Sequence, residues 1–285
     1  MVVGLSRTVL EQYRYVSRFD SPYDAHRSGV AIDLYPNGQE APSPVAGVVR
    51  STARVTARSR PYAIDTDVVT VIETDKHLAR ILHVDPEVEP GETVGVGDRL
   101  GRLLRSGYFG PWVEDHIHLE FRSRDADVRR ARGSLPIDIE LPVEPVTWDG
   151  SGRVIELAPS YAVLDRPGGQ RVDDTFYGLA TDCGAAVDGG IAHYTGGGLH
   201  DLTGGPVSVL GERVGTASPD PGRGSLSRIW WNAVTITANG APIRGLGCRL
   251  WRGGHGGVTL VQPEADFSLG EHVQVAVTPA GRERS

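Results

Sequence analysis

Glycine and proline interrupt this chain of 285 residues at short intervals, with 37 glycines and 19 prolines spread along its length. Proline breaks helices, and glycine supplies the positive backbone angles that tight turns need. The segments between them are short and often rich in β-branched residues, as in 67–73 (DVVTVIE). Such segments are typical of strands. The sequence therefore predicts an all-β, mainly antiparallel fold built from many short strands.

The length of the chain allows two domains, because single cores stop growing at about 250–300 residues. Residues 142–145 (PVEP) and 149–152 (DGSG) are typical of a linker. We therefore predict one domain at 1–142 and a second β-rich domain of unknown role at 146–285. In the second domain, an Asn239-Gly240 dipeptide after an apolar strand pattern predicts a hairpin.

Charge and hydropathy exclude several classes of partner. The formal net charge is −7, so no basic surface for nucleic acid is expected. No segment approaches the ~20 apolar residues needed to cross a membrane. The charged first twenty residues lack the apolar region of a signal peptide, which predicts a cytoplasmic protein unless an export signal has been removed. Oligomeric state stays open, as does the choice between free thiols and a disulfide for Cys183 and Cys248.

The clearest alternating pattern in the chain is 116–122 (HIHLEFR). In a strand, His116, His118 and Glu120 lie on one face, and the apolar residues between them lie on the other. This places two imidazoles side by side, as a metal site requires. A strand carboxylate such as Glu120 is more often solvated, and we interpret it so here.

Other short motifs precede this strand in a fixed order: 26–33 (HRSGVAID), 41–49 (APSPVAGVV), 81–84 (ILHV) and 94–101 (VGVGDRLG). The ordered set resembles the LytM/lysostaphin family of peptidoglycan endopeptidases. That family has an H-x-x-x-D motif near the first strand, a P-V-x-A-x-x-G-x-V turn, a Y-x-H-L strand and a final H-L-H-F-E strand. The resemblance covers roughly residues 20–125. It implies a LytM-like β-sandwich, the duplicated hybrid motif, for the first domain.

The resemblance also implies a zinc site and its residues. Zn²⁺ would be bound by His26, Asp33 and His118, and His83 and His116 would be the catalytic histidines. Three protein ligands leave a fourth tetrahedral position for water, whose pKa zinc lowers from about 15.7 towards ~7. Histidine suits the proton transfer because its ordinary pKa is about 6.5. The implied activity is hydrolysis of an amide bond in a peptide or glycopeptide, such as a cell-wall cross-bridge.

One spacing departs from the family pattern. The aspartate follows the first histidine by four positions in the family and by seven here, from His26 to Asp33. Two strand residues at an odd offset point to opposite faces. We therefore expect His26 in the loop before the strand, or a bulge at 29–31. Asp24 is a competing carboxylate.

Two other functions remain open. The first is a non-catalytic metal- or ligand-binding protein on the same fold. The second is a biotinyl or lipoyl carrier with Lys76 as the modified residue. In the second domain, three tryptophans are candidates for stacking on glycan or peptide, although core positions are the commoner role: Trp230, Trp231 and Trp251.

Overall fold

The computed structural model describes residues 2–130, 132–140, 142–168, 175–201, 204–220, 226–253, 256–263 and 266–281. The backbone divides into two compact units. The first consists of Met1–Val16 and Tyr23–Glu140, and the second of Ser17–Pro22 and Leu141–Ser285. The predicted all-β, mainly antiparallel fold with two domains is confirmed. A short segment near the N-terminus, assigned to the first domain by its position in the sequence, belongs to the second unit.

The elements up to residue 140 are two one-turn helices and a series of short strands. They are β1 (Val3–Leu5), α1 (Arg7–Leu10), β2 (Tyr13–Ser17), α2 (Asp24–Arg27), β3 (Ala31–Pro36), β4 (Glu40–Pro42), β5 (Gly47–Thr56), β6 (Thr66–Glu73), β7 (Leu78–Leu82), β8 (Val84–Pro86), β9 (Thr93–Val94), β10 (Arg99–Leu103), β11 (Ile117–Arg122) and β12 (Ile137–Ile139).

The main sheet of the first unit is antiparallel, in the order β3-β11-β7-β6-β5-β9. A smaller antiparallel sheet has the order β4-β10-β8, and β1 pairs with β12 in parallel. The motif at 81–84 does not lie in one strand, because β7 ends at Leu82 and β8 begins at Val84, with His83 between them. The strand that carries the H-x-H motif is central, with β3 on one side and β7 on the other.

The alternation of β11 places its apolar residues in the core. Ile117 lies opposite Leu34 and Leu119 opposite Ile32, and all four side chains are fully buried. Because the side chains of a strand alternate, the residues between them point away from this apolar face. The apolar pairs thus fix the register that brings polar residues of β3 and β11 together on the other face.

Among the described residues from 143 onward, every element is a strand. They are β13 (Val143–Val146), β14 (Ser151–Ala158), β15 (Tyr161–Leu164), β16 (Phe176–Ala180), β17 (Ala186–Ile191), β18 (Gly196–His200), β19 (Gly205–Val209), β20 (Glu212–Pro219), β21 (Ser227–Trp231), β22 (Val234–Ala238), β23 (Ala241–Cys248), β24 (Leu250–Arg252), β25 (Thr259–Pro263) and β26 (His272–Pro279).

The interpretation of residues 142–145 as linker is wrong, because β13 pairs in parallel with β16. The predicted hairpin is present as β22 and β23, with positive φ angles of 49° at Asn239 and 83° at Gly240. These angles are those of the tight two-residue turn that an Asn-Gly sequence favours.

Six strands of the second unit form a closed ring of pairings. Antiparallel pairings run β14-β15-β25-β23-β22-β26 and return to β14. The core includes Val154, Leu164 and Leu260. Trp251 is only 1% exposed and is therefore a core residue, whereas Trp230 is 55% exposed.

Of the alternatives for the cysteines, the structure has two free thiols, with Cys248 buried and Cys183 exposed. Among the described residues, no helix combines the length and the apolar character needed to cross a membrane.

Candidate metal centre

The register between β3 and β11 places two of the predicted ligands side by side. His118 lies directly opposite Asp33 in the antiparallel pair. The Nδ1 atom of His118 is 2.9 Å from Oδ1 of Asp33. Both residues are on the polar face of their strands, so one cross-strand pair supplies an imidazole and a carboxylate.

His26 reaches the same point from helix α2, immediately before β3. Gly29, with a φ of 61°, ends the helical turn, and its N–H donates to the carbonyl of His26. A left-handed glycine at this position is a common helix terminator. The Nε2 atom of His26 lies 3.1 Å from Nδ1 of His118 and 3.3 Å from Oδ1 of Asp33. His26 therefore lies before the strand, which is one of the two arrangements that the offset of seven residues predicted.

The three ligand atoms have the separations of a metal site. One atom from each of His26, Asp33 and His118 lies within 4.8 Å of the others. A tetrahedral zinc ion with bonds of about 2.0–2.1 Å separates neighbouring ligand atoms by about 3.3–3.4 Å. The observed separations of 2.9, 3.1 and 3.3 Å equal these ligand–ligand distances or are a few tenths of an ångström shorter. The donor set of two imidazoles and one carboxylate therefore fits zinc.

Glu120 orients His118 from the opposite side of the ring. Its Oε1 atom lies 3.1 Å from Nε2 of His118. Arg80, Arg122 and Ser134 also bond to this carboxylate, which is 4% exposed. The interpretation of Glu120 as solvated is therefore wrong. A carboxylate on the second nitrogen is the usual support of a histidine that binds metal through the first.

The pKa values of the cluster follow from burial and close pairing. Burial lowers the pKa of His118, but its bonds to Asp33 and Glu120 outweigh this and raise the pKa to about 9. Burial raises the pKa of Asp33, yet the nearby histidines hold it well below its ordinary range. The two carboxylates therefore stabilise positive charge on His118, and a metal ion that binds its Nδ1 displaces a proton.

His116 lies next to the three ligands. Its Nδ1 is 2.8 Å from the carbonyl of Glu114, and because a carbonyl only accepts, this nitrogen carries the proton. Its Nε2 is 3.5 Å from Oδ1 of Asp33. Burial lowers the pKa of His116 to about 4. The ring is therefore neutral near pH 7, with its lone pair on Nε2, which is the nitrogen that faces Asp33.

His83 occupies the break between β7 and β8. Its ring centroid is 5.0 Å from that of His116 and 5.7 Å from that of His118. Its Nδ1 lies 2.5 Å from Oδ2 of Asp67, a fully buried carboxylate at the start of β6. The structure thus brings all five predicted site residues together.

The loop that contains Tyr108 and Phe109 packs against the two predicted catalytic histidines. The ring centroid of Phe109 lies 4.7 Å from that of His116 and 5.0 Å from that of His83. Tyr23, just before α2, donates its hydroxyl to the carbonyl of Tyr108 at 2.6 Å. This bond ties the loop to the segment that carries His26. The site is consequently enclosed, with His26 1% and Asp33 3% exposed.

Sequence reasoning missed Asp67 and misjudged Glu120. Asp67 belongs to no motif, and its partner lies 16 residues away in the chain. Glu120 carried a signal, since it shares the strand face of His116 and His118. Asp24, the competing carboxylate, is fully exposed and pairs with Arg27. Lys76 lies in the exposed turn between β6 and β7.

Two family models match the chain, and the description of neither names an activity. Residues 4–139 match the family described as "Domain of unknown function (DUF8155) N-terminal domain". Residues 144–278 match its counterpart, described as "Domain of unknown function (DUF8155) C-terminal domain". Neither match is to a peptidase family, and the curated proteins gave no match. The two matched regions follow one another and together span nearly the whole chain, which therefore belongs to the DUF8155 family and carries both of its domains.

Proposed function

We propose that the first domain is a zinc-dependent hydrolase of amide bonds in peptides or glycopeptides. The observation that carries the proposal is the convergence of His26, Asp33 and His118 on one point, at separations that suit a tetrahedral cation. The same three residues follow from the resemblance to the LytM/lysostaphin family, which is an independent argument from the sequence.

The metal, when bound, supplies a Lewis acid that polarises the scissile carbonyl and makes water acidic enough to be deprotonated near neutral pH. The residues of the chain supply proton transfer. His116 donates Nδ1–H to the carbonyl of Glu114, so its Nε2 carries the lone pair that would take a proton from water. His83 is the second group that could take this proton or donate to the developing oxyanion.

A second function is favoured by the burial of the centre. His26, Asp33 and His116 are each no more than 3% exposed, and Phe109 packs against the catalytic candidates. Such enclosure suits a non-catalytic metal-binding domain, in which the ion holds helix α2 against the sheet. The two functions share the metal and differ only in hydrolysis.

Hydrolysis by the full chain separates them. The protein is stripped with a chelator, reloaded with Zn²⁺, and assayed on internally quenched hexapeptides and on cross-linked peptidoglycan fragments. We expect cleavage only after reloading. His116→Ala should keep its zinc and lose at least about 100-fold in kcat, because a general base typically contributes that much or more.

His77→Ala is the matched control. His77 belongs to the same domain, and its ring packs against Phe121 rather than the cluster. We expect this variant to retain both zinc and activity. If the reloaded protein holds its zinc and cleaves no substrate of either kind, the hydrolase function is rejected and the metal-binding function is retained.

A further inference from the structure

The segment around His83 is held at three points. Oδ1 of Asp67 accepts the main-chain N–H of His83 at 3.0 Å, and Oδ2 lies 2.5 Å from its Nδ1. The N–H of Leu104 donates to the carbonyl of His83 at 2.8 Å. Both main-chain polar groups and one ring nitrogen of His83 are thus fixed by residues distant in the sequence.

These bonds maintain an uncommon backbone conformation. The φ angle of His83 is 66°, in the left-handed region that residues other than glycine seldom adopt. It interrupts what is otherwise a continuous strand pattern. Such conformations persist only where the surroundings impose them, and they cluster at functional sites. Here the surroundings are the carboxylate of Asp67 and the N–H of Leu104.

The carboxylate of Asp67 is itself fixed. It is fully buried, and its Oδ1 also accepts the N–H of Val68 at 2.7 Å. Burial raises the pKa of Asp67, but its bonds to His83 and Ser106 hold the pKa below the ordinary value. Asp67 is therefore a carboxylate, which only accepts hydrogen bonds, so Nδ1 of His83 carries a proton, and in the neutral ring the lone pair is then on Nε2.

We propose that Asp67 is a positioning residue for the hydrolysis, holding His83 in the tautomer and orientation in which its Nε2 can serve the metal centre. The inference rests on the function proposed above. The Asp67 carboxylate would do for His83 what the Glu114 carbonyl does for His116. Each fixes a proton on Nδ1 and leaves Nε2 as a base.

Asp67→Asn tests this role. The amide can still accept the main-chain N–H groups, but it presents an NH₂ group to Nδ1 and so favours the other tautomer. We expect kcat for the best-cleaved hexapeptide to fall at least about tenfold, with KM and zinc content unchanged. In a His83→Ala background the same change should cost nothing more, because the two residues act as a unit. Additive losses would overturn the proposal.

Asp65→Asn is the matched control, the same chemical change at an exposed residue of the same chain segment. It should leave kcat and the tautomer unchanged. The tautomer is read by ¹⁵N NMR of histidine-labelled, zinc-loaded protein, with the His83 signals assigned from His83→Ala. We expect the proton on Nδ1 in the wild type and on Nε2 in Asp67→Asn.

This readout is independent of activity. A tautomer that does not change in Asp67→Asn overturns the role of Asp67, whether or not peptides are cleaved. A tautomer that changes as expected in a protein that cleaves no peptide supports the hold of Asp67 on His83 and overturns the hydrolase function alone.

Discussion

Each domain contains a buried aspartate close to a histidine, and the two differ in what surrounds them. In the first domain, Asp33 faces the ring nitrogens of His118, His26 and His116 at 2.9, 3.3 and 3.5 Å. In the second, Asp188 accepts from the hydroxyl of Ser17 at 2.5 Å and from the N–H of Arg18 at 2.7 Å. The close partners of Asp33 are thus imidazole nitrogens, whereas those of Asp188 are a hydroxyl and a main-chain N–H.

A hydroxyl and a main-chain N–H are neutral donors that satisfy a buried carboxylate without any ion. Imidazole nitrogens that converge on a carboxylate offer lone pairs, and together they need a proton or a metal cation between them. Nε2 of His200 lies 3.8 Å from Oδ2 of Asp188, beyond hydrogen-bond distance. A buried aspartate beside a histidine is therefore not enough for a metal site, which also needs ligand lone pairs that converge on one point.

Metal removal should produce the largest difference between the domains. Zinc at a thousand times its Kd stabilises the folded state that binds it by about 4 kcal/mol. We expect chelation to speed hydrogen–deuterium exchange in β3 and β11 and to leave β17 unchanged. Equal acceleration in both domains would remove the distinction between them.

Asp188→Ala should destabilise the second domain by about 3 kcal/mol, because it leaves the hydroxyl of Ser17 and the N–H of Arg18 without their acceptor. Zinc content should not change. Calorimetry and metal analysis of the same sample measure both effects. Loss of zinc from this variant would show that the second site contributes to metal binding.

Glu120→Gln should weaken zinc binding about 10- to 100-fold without removing a ligand. The amide is a poorer acceptor for Nε2–H of His118, and it weakens the pairing with Arg80 and Arg122. Competition with a chromophoric chelator gives the affinity. An affinity equal to that of the wild type would mean that Glu120 serves packing alone.

His200→Gln should have the smallest effect. The substitution nearly conserves volume and keeps a polar side chain, so we expect a cost below about 1.5 kcal/mol, as for volume-conserving changes in apolar cores. Because Nε2 of His200 makes no hydrogen bond to Asp188, no strong pairing is lost. Chemical denaturation measures the change, and a loss comparable to that of Asp188→Ala would contradict the interpretation of this site.

Local patterns in the sequence predicted the strands that position the site. The alternation in 116–122 gave β11 and its two faces, and the β-branched segment 67–73 gave β6. The break at His83 could not be predicted, because it is imposed by bonds from Asp67 and Leu104, which are distant in the sequence. Only the folded chain shows these contacts.

The candidate ligands could be named from the sequence because the order of the short motifs resembles a family pattern, and the structure places the three side chains together. The environment of Glu120 was not, since Arg80 and Ser134 approach it from other segments. The inclusion of Ser17–Pro22 in the second unit was likewise hidden, because position in the sequence is a poor guide to where an N-terminal segment packs.

Elemental analysis of zinc in the purified, dialysed protein tests the proposal that three side chains of the first domain bind one cation. We expect about one zinc per chain in the wild type and in Asp188→Ala. Almost none should remain in His118→Ala, and the proposal also requires a large loss in Asp33→Ala. Zinc content that is the same in all four proteins, or absent from the wild type after zinc loading, would contradict it.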